Sequence, residues 1–102
     1  MKPDKNLERI INHRRYSVAT ATRLASDLFW DGSNFERHGR NMFLYRTPGG
    51  EYFTVTVSQW QGERTTLELV SQDEAIELYE GALCEHDLDY EEAFPGVEVT
   101  DA

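Results

Sequence analysis

Chemistry in this chain would have to come from three histidines, one cysteine and nineteen carboxylates, so their spacing is weighed first. His13, His38 and His86 lie in three separate segments. No His-Glu-x-x-His, no phosphate loop and no strand-turn-helix nucleophile elbow accompanies them, and those are the arrangements that bring a base, a metal or a nucleophile together. Pro48-Gly49-Gly50 is glycine-rich but reads as a turn between two strands, so it lacks the helix N-terminus that holds phosphate. Cys84-Glu85-His86 puts two soft ligands close together, yet a structural zinc site needs four in paired spacing and the second pair is missing. With Asp87 as position one, Asp89, Glu91 and Glu98 fall at positions three, five and twelve of a calcium-type loop. Glu92 stands where the sharp turn needs glycine, and Pro95 is a further mismatch. The expectation is a protein that is not an enzyme and uses no metal or cofactor.

The carboxylates carry a different signal. All ten Lys and Arg lie between Lys2 and Arg64 together with seven acids, a balance of +3, whereas Glu68 to Ala102 holds twelve acids and no Lys or Arg, a balance of −12. Asp73, Glu77 and Glu80 stand at i, i+4 and i+7, which lines carboxylates up roughly 5–6 Å apart along one edge of a helix. Phosphates along a nucleic-acid strand repeat on a similar scale, so such a row suits a Lys/Arg groove built for nucleic acid. The same charge opposes direct nucleic-acid binding by this surface. The expected partner-binding set is Asp73, Glu74, Glu77, Glu80, Glu85, Asp87, Asp89, Glu91 and Glu92, and the expected partner is a protein or nucleoprotein complex with a Lys/Arg-rich surface, not a nucleic acid and not a membrane. A second reading stays open: a solvated helix face and a solubilising tail on a housekeeping or accessory protein. Arg9, Arg14, Arg15 and Arg23 are available to pair with the acidic helix internally. Arg37, Arg40, Arg46 and Arg64 are scattered, and the net charge of −9 argues against an RNA-binding stripe.

The elements that must position these residues follow from periodicity. Leu7, Ile10 and Ile11 at i, i+3, i+4 predict a short helix over Lys5 to Arg14, and Ala21, Leu24, Ala25 and Leu28 predict a second over Ser17 to Phe29. Asp31-Gly32-Ser33-Asn34 reads as a turn. Alternation then takes over. Phe43 and Tyr45 mark a strand over Asn41 to Thr47, Thr47-Pro48-Gly49-Gly50 turns the chain, and Glu51 to Trp60 sets Phe53, Val55 and Val57 on one side against Tyr52, Thr54 and Thr56 on the other. After a turn at Gln61 to Arg64, Thr65 to Val70 alternates again with Leu67 and Leu69 inward. Ser71 and Glu74 form a capping box that opens a helix running to about Leu83 or Cys84 with Ala75, Ile76, Tyr79 and Leu83 on one face. Leu88, Tyr90 and Phe94 are placed to tuck against the core as a short turn of helix ended by Pro95-Gly96, with fraying beyond.

The predicted fold is α+β: a three-stranded antiparallel meander packed on one face by helices before and after it, with an acidic C-terminal tail. Residues 1–14 form an N-terminal helical extension, 15–84 the α-β-β-β-α core and 85–102 the tail of a single domain. One core should join Phe53, Val55, Val57, Leu67, Leu69, Ile76 and Leu83 to Leu24 and Leu28. The other sheet face is polar, with Tyr52 or Trp60 available there for a protein contact. A length of 102 residues with 39% apolar content is enough for one core. The single Cys84 allows no intramolecular disulfide, and neither a secretory signal nor a stretch of ~20 apolar residues is seen. A cytoplasmic monomer or homodimer is expected.

Several short pieces resemble a diffuse group of small proteins from bacterial genomes, phages and mobile elements. They are Arg15-Tyr16 followed by Thr20-Ala21, Leu44-Tyr45-Arg46 with Gly50-x-Tyr52-Phe53, Ser71 with Glu74-Ala75, and Tyr90-Glu91-Glu92-Ala93-Phe94. The match spans roughly Arg15 to Phe94. It departs from the group at Ser17, where members carry an acid after the tyrosine, and in the extra segment from Lys5 to Arg14. The resemblance implies an interaction protein of phage or mobile-element origin acting in the cytoplasm of a bacterial host. Small acidic proteins of that origin include anti-CRISPR inhibitors, some of them DNA mimics.

Overall fold

The computed structural model describes residues 3–27, 40–58 and 64–100, with Arg40 and Ser58 described by backbone alone. The expected turns at Asp31 to Asn34 and Gln61 to Glu63, together with Leu28, Phe29 and Trp60, lie outside the described residues. Among the described residues seven strands and two helices follow in order: β1 Glu8–Ile11, β2 Arg14–Ser17, β3 Thr22–Ser26, β4 Arg40–Arg46, β5 Tyr52–Ser58, β6 Thr66–Val70, α1 Gln72–Glu80, β7 Glu85–His86 and α2 Tyr90–Ala93. β1 and β2 make a two-stranded sheet, and the other strands make a five-stranded antiparallel sheet in the order β6-β5-β4-β3-β7.

The expected three-stranded sheet with helices before and after it is therefore wrong, and both N-terminal helices are strands. Lys5 to Arg14 is mostly hairpin: Ile11 pairs with Arg14 across Asn12 and His13, whose φ values of 52° and 66° are the left-handed pair that a tight two-residue hairpin turn requires. Leu7 and Ile11 face the large sheet while Ile10 is 63% exposed, so the i, i+3, i+4 pattern marks no helical face. β3 misleads in another way. Its pairing with β4 slips between Arg23 and Ala25, leaving Leu24 as the extra residue of a β-bulge. Leu24 and Ala25 both enter the core, and consecutive buried residues preceded by Ala21 imitate helical spacing.

The central strands bury both faces. Phe43, Tyr45, Phe53, Val55, Val57 and Leu67 form one cluster with Tyr16, covered by Leu7, Ile11 and Val18 of the hairpin region. Leu44 and Tyr52, their immediate neighbours in sequence, point the other way and join Leu24, Ala75, Tyr79, Leu83, Ala93 and Phe94. The face expected to be polar is the one the helices cover, and Tyr52 and Thr54 are 6% and 4% exposed. The single expected core is thus divided by the sheet. Ile76 packs with the helix-side cluster, and Leu69 is 40% exposed.

The C-terminal segment is also no tail. β7 extends the sheet by pairing Ala25 with His86 and Ser26 with Glu85, and the Asp87 amide donates to the Leu24 carbonyl. α2 follows and sets Phe94 under α1, fully buried, with its ring 5.3 Å from Tyr79 and 5.6 Å from Tyr52. Arg46 holds the end of α2 by donating to the carbonyls of Glu92 and Ala93 at 2.7 and 2.6 Å.

Two truncations check this two-faced packing. Phe53→Ala and Phe94→Ala should each cost about 3–5 kcal/mol in denaturant unfolding, although they lie on opposite sides of the sheet. If residues from Glu85 onward were a loose tail, Phe94→Ala would be nearly silent.

Candidate functional site

The acidic surface is built on α1. Ser71 Oγ accepts from the Glu74 amide at 3.1 Å and the Ser71 amide donates to Glu74 Oε1 at 3.3 Å, so the capping box sets where the helix begins. Ala75 and Tyr79 turn down onto the sheet. That orientation leaves Asp73, Glu74, Glu77 and Glu80 exposed, with Asp73, Glu77 and Glu80 on the edge opposite the core. No basic residue occupies the last turn, and none of the ion pairs among the described residues includes an acid of α1.

α1 is tied to the segment after it by aromatic contacts. The Tyr79 hydroxyl donates to the Leu88 carbonyl at 2.6 Å, and the Tyr90 hydroxyl donates to Glu80 Oε2 at 2.9 Å. The Tyr79 and Tyr90 rings meet edge to face at 5.6 Å. His86 stacks on Tyr79 with centroids 3.8 Å apart, and its Nε2 donates to the Tyr79 carbonyl at 2.7 Å. Glu80, Tyr90, Glu91 and Glu98 consequently line one open groove of about 500 Å³ with Val99 and Thr100. On the other flank of α1 a groove of about 420 Å³ is lined by Met42, Thr54, Glu68, Val70, Glu74, Glu77 and Leu78.

The nine residues expected to bind a partner do not form one surface. Asp73, Glu74, Glu77, Glu80 and Glu91 share the helix side. Asp87 leaves it, because His86 faces Tyr79 and the next residue along a strand points the opposite way. Its two carboxylate oxygens accept from Arg23 Nε and Nη2 at 3.0 and 3.1 Å, and Glu85 shares that outward phase. Asp89 stands exposed before α2, and Glu92 is exposed with its carbonyl bound by Arg46. Glu68 and Glu98 belong to the surface and were left out of the expected set, although Glu68 alternates with buried Leu67 and its outward direction is readable.

The arginines available to pair with the acidic helix are engaged elsewhere. Arg14 bonds Glu51, Arg15 pairs with Glu8 at 3.4 Å, Arg9 donates to the Leu67 carbonyl at 2.7 Å, and Arg23 holds Asp87 while lying over the Phe43 ring at 5.7 Å. A cavity of about 760 Å³ lies at the N-terminal end of α1, where Ser71 and Gln72 line it, and its charged groups Arg14 and Glu51 satisfy each other, with Tyr16 donating to Glu51 at 2.5 Å. Among the described residues no three His, Cys, Asp or Glu side chains converge as metal ligands. None of the described helices is long and apolar enough to cross a membrane.

The chain matches no family model, no curated protein and no solved structure. Function has to be read from its own side chains.

Tyrosines around this surface give a pH signature. Burial and then the Glu80 hydrogen bond raise Tyr90 above the ordinary 10.0, burial and then the Asp89 charge raise Tyr79, and burial raises Tyr45. Each folded pKa exceeds its unfolded one, so the stabilisation is complete below pH ~10 and is lost as pH climbs through the folded values. Melting temperature should therefore decline above pH ~10 as tyrosinate absorbance rises, and Tyr45→Phe should flatten the decline. A melting temperature that is level through this alkaline range would contradict the burial of these phenols.

Proposed function

We propose that this chain is a non-enzymatic binding protein that offers the carboxylates of α1 and the neighbouring α2 segment to a Lys/Arg-rich surface on a partner protein or nucleoprotein complex. The observation that supports this reading is the unpaired row on α1. Like charges at i, i+3 and i+4 each cost about 0.2–0.5 kcal/mol, and the fold keeps several of them side by side while Arg9, Arg14, Arg15, Arg23 and Arg46 bond elsewhere. A cationic partner converts that standing repulsion into attraction. Approach is steered by the same field, which speeds association at low salt.

In the form suggested by the resemblance, the partner surface normally holds nucleic acid, and the chain is an anti-CRISPR-like inhibitor from a phage or mobile element that occupies it in the cytoplasm of a bacterial host. The spacing of Asp73, Glu77 and Glu80 suits that role.

The test is charge reversal at positions that do no structural work. Glu74 is spent on the helix cap and Glu80 on Tyr90, so the informative triple is Asp73→Lys, Glu77→Lys and Glu91→Lys. Its melting temperature should stay close to that of the parent, because exposed charges contribute only a few tenths of a kcal/mol each. Partner proteins captured by the parent should be released as salt rises past ~0.1 M, where the Debye length is ~10 Å, and by added DNA, and the triple should capture none of them. Reversal of Glu8, Glu36 and Glu63, outside the acidic stretch, is the control. If the control abolishes capture and the α1–α2 triple preserves it, the acids serve solubility alone and the chain is an accessory protein that docks by another face.

A further inference from the structure

β6 is one edge of the five-stranded sheet, and the phase of its backbone follows from the turn between β4 and β5. The Thr47 amide donates to the Glu51 carbonyl at 2.8 Å, so the hydrogen-bonded pairs of β4 and β5 fall at Tyr45 with Phe53 and at Phe43 with Val55. Tyr52, Thr54 and Thr56 therefore turn their amides and carbonyls to β6, where they meet Val70, Glu68 and Thr66. Leu67 and Leu69 turn theirs outward. Arg9 covers one of these outward groups by donating to the Leu67 carbonyl at 2.7 Å. No described residue bonds the outward groups of Leu69, whose side chain is also 40% exposed.

That bare position has a cavity on each face. On the hairpin side Leu69 joins Asn12, Arg14 and Tyr16 in lining the space of about 760 Å³. On the helix side Glu68 and Val70 join Glu74, Glu77 and Leu78 in lining the groove of about 420 Å³. A strand laid beside β6 sends alternate side chains to these two faces, which is how an added strand gains affinity from its backbone and specificity from its side chains.

We propose that β6 docks an extended segment of the partner as an added antiparallel strand, in which a basic, an apolar and a basic residue follow one another opposite Leu69. The charge preference rests on the acidic-face reading above, and the backbone contacts do not. The central residue exchanges both main-chain hydrogen bonds with Leu69 and lays its apolar side chain toward Leu69 and Tyr16. Its two neighbours, opposite Glu68 and Val70, point to the helix side, where Glu68, Glu74 and Glu77 are exposed and no Lys or Arg lies in the lining. The same charge disfavours a second copy as the occupant. Two β6 edges paired antiparallel keep both α1 helices on one face of the joined sheet, so the acids of one copy meet those of the other.

The probe is a short acetylated peptide of alternating arginine and valine, titrated into isotope-labelled protein and followed by amide resonances and hydrogen exchange. Shifts at Leu69 should saturate, and exchange of the Leu69 amide should slow at least about tenfold because it gains an acceptor. Methylating the valine nitrogens of the peptide keeps its charge and removes the donors the edge requires, so binding should weaken about tenfold. A peptide of the same composition with arginines and valines in separate blocks should weaken likewise. Leu69→Pro deletes only an outward amide, which an edge strand tolerates, so its melting temperature should stay near the parent's while peptide binding is lost. The methylated peptide needs no altered protein and decides the matter if that variant is unstable. The edge is overturned if the methylated or the block peptide binds as well as the alternating one, or if the Leu69 amide becomes protected with protein concentration alone, the mark of a second copy. Partner capture lost on charge reversal of α1 but kept in Leu69→Pro overturns the edge and leaves the acidic face standing. Saturable binding of the alternating peptide, beside a charge-reversed triple that still captures the parent's partners, keeps the edge and overturns the acidic face.

Discussion

Strands β4 and β5 carry large side chains on both of their faces, and the rest of the chain is arranged to cover them. Phe43, Tyr45, Phe53 and Val55 look one way, Leu44 and Tyr52 the other. Neither set can be left in water, since each buried aromatic or aliphatic side chain is worth roughly 1.5–3 kcal/mol. The hairpin of β1 and β2 answers the first requirement. The helices α1 and α2 answer the second. Those two covers come from opposite ends of the described chain, which is why the protein's charge asymmetry along the sequence becomes an asymmetry across the sheet. The basic hairpin lies on one side and the acidic helices on the other.

That division shapes what each arginine can do. Arg9 and Arg14 are on the hairpin side and find acceptors there, while Arg46 projects to the helix side and is used on the α2 carbonyls instead of a carboxylate. Arg23 and Asp87 close the far edge of the sheet together. The carboxylates of α1 are thus left to solvent by geometry as well as by composition. Glu80 alone has a described donor beyond the helix itself, the Tyr90 hydroxyl.

What could be read from the sequence was whatever is decided locally. The β4-β5-β6 meander was legible because its alternation is unbroken and its turns are marked, and the start of α1 was legible because Ser71 and Glu74 lie within one turn. The hairpin was hidden by a turn of Asn12 and His13 with no glycine to announce it. β3 was hidden by its bulge, which destroys period two at the point where Leu24 and Ala25 enter the core. The two-sided burial was hidden too, because Thr54 and Thr56 give the second face a polar look that only the helices contradict. Among the acids, Asp73, Glu74, Glu77 and Glu80 were placed correctly on an exposed helix by its period. Asp87 was not, since its direction depends on a pairing with β3 that no local pattern encodes.

That pairing also bears on how the molecule is made. Arg23 and Asp87 are 64 residues apart, and β7 is the neighbour that β3 lacks until residues 85–87 have left the ribosome. At ~5–20 residues per second, a nascent chain waits seconds between the emergence of β3 and that of the segment that shields its edge. During that interval an unpaired strand edge beside half a core is a template for other chains. The order of synthesis therefore keeps that edge open to misassembly until the later segment emerges, and makes the short stretch from Glu85 to Asp87 the clasp that ends the exposure.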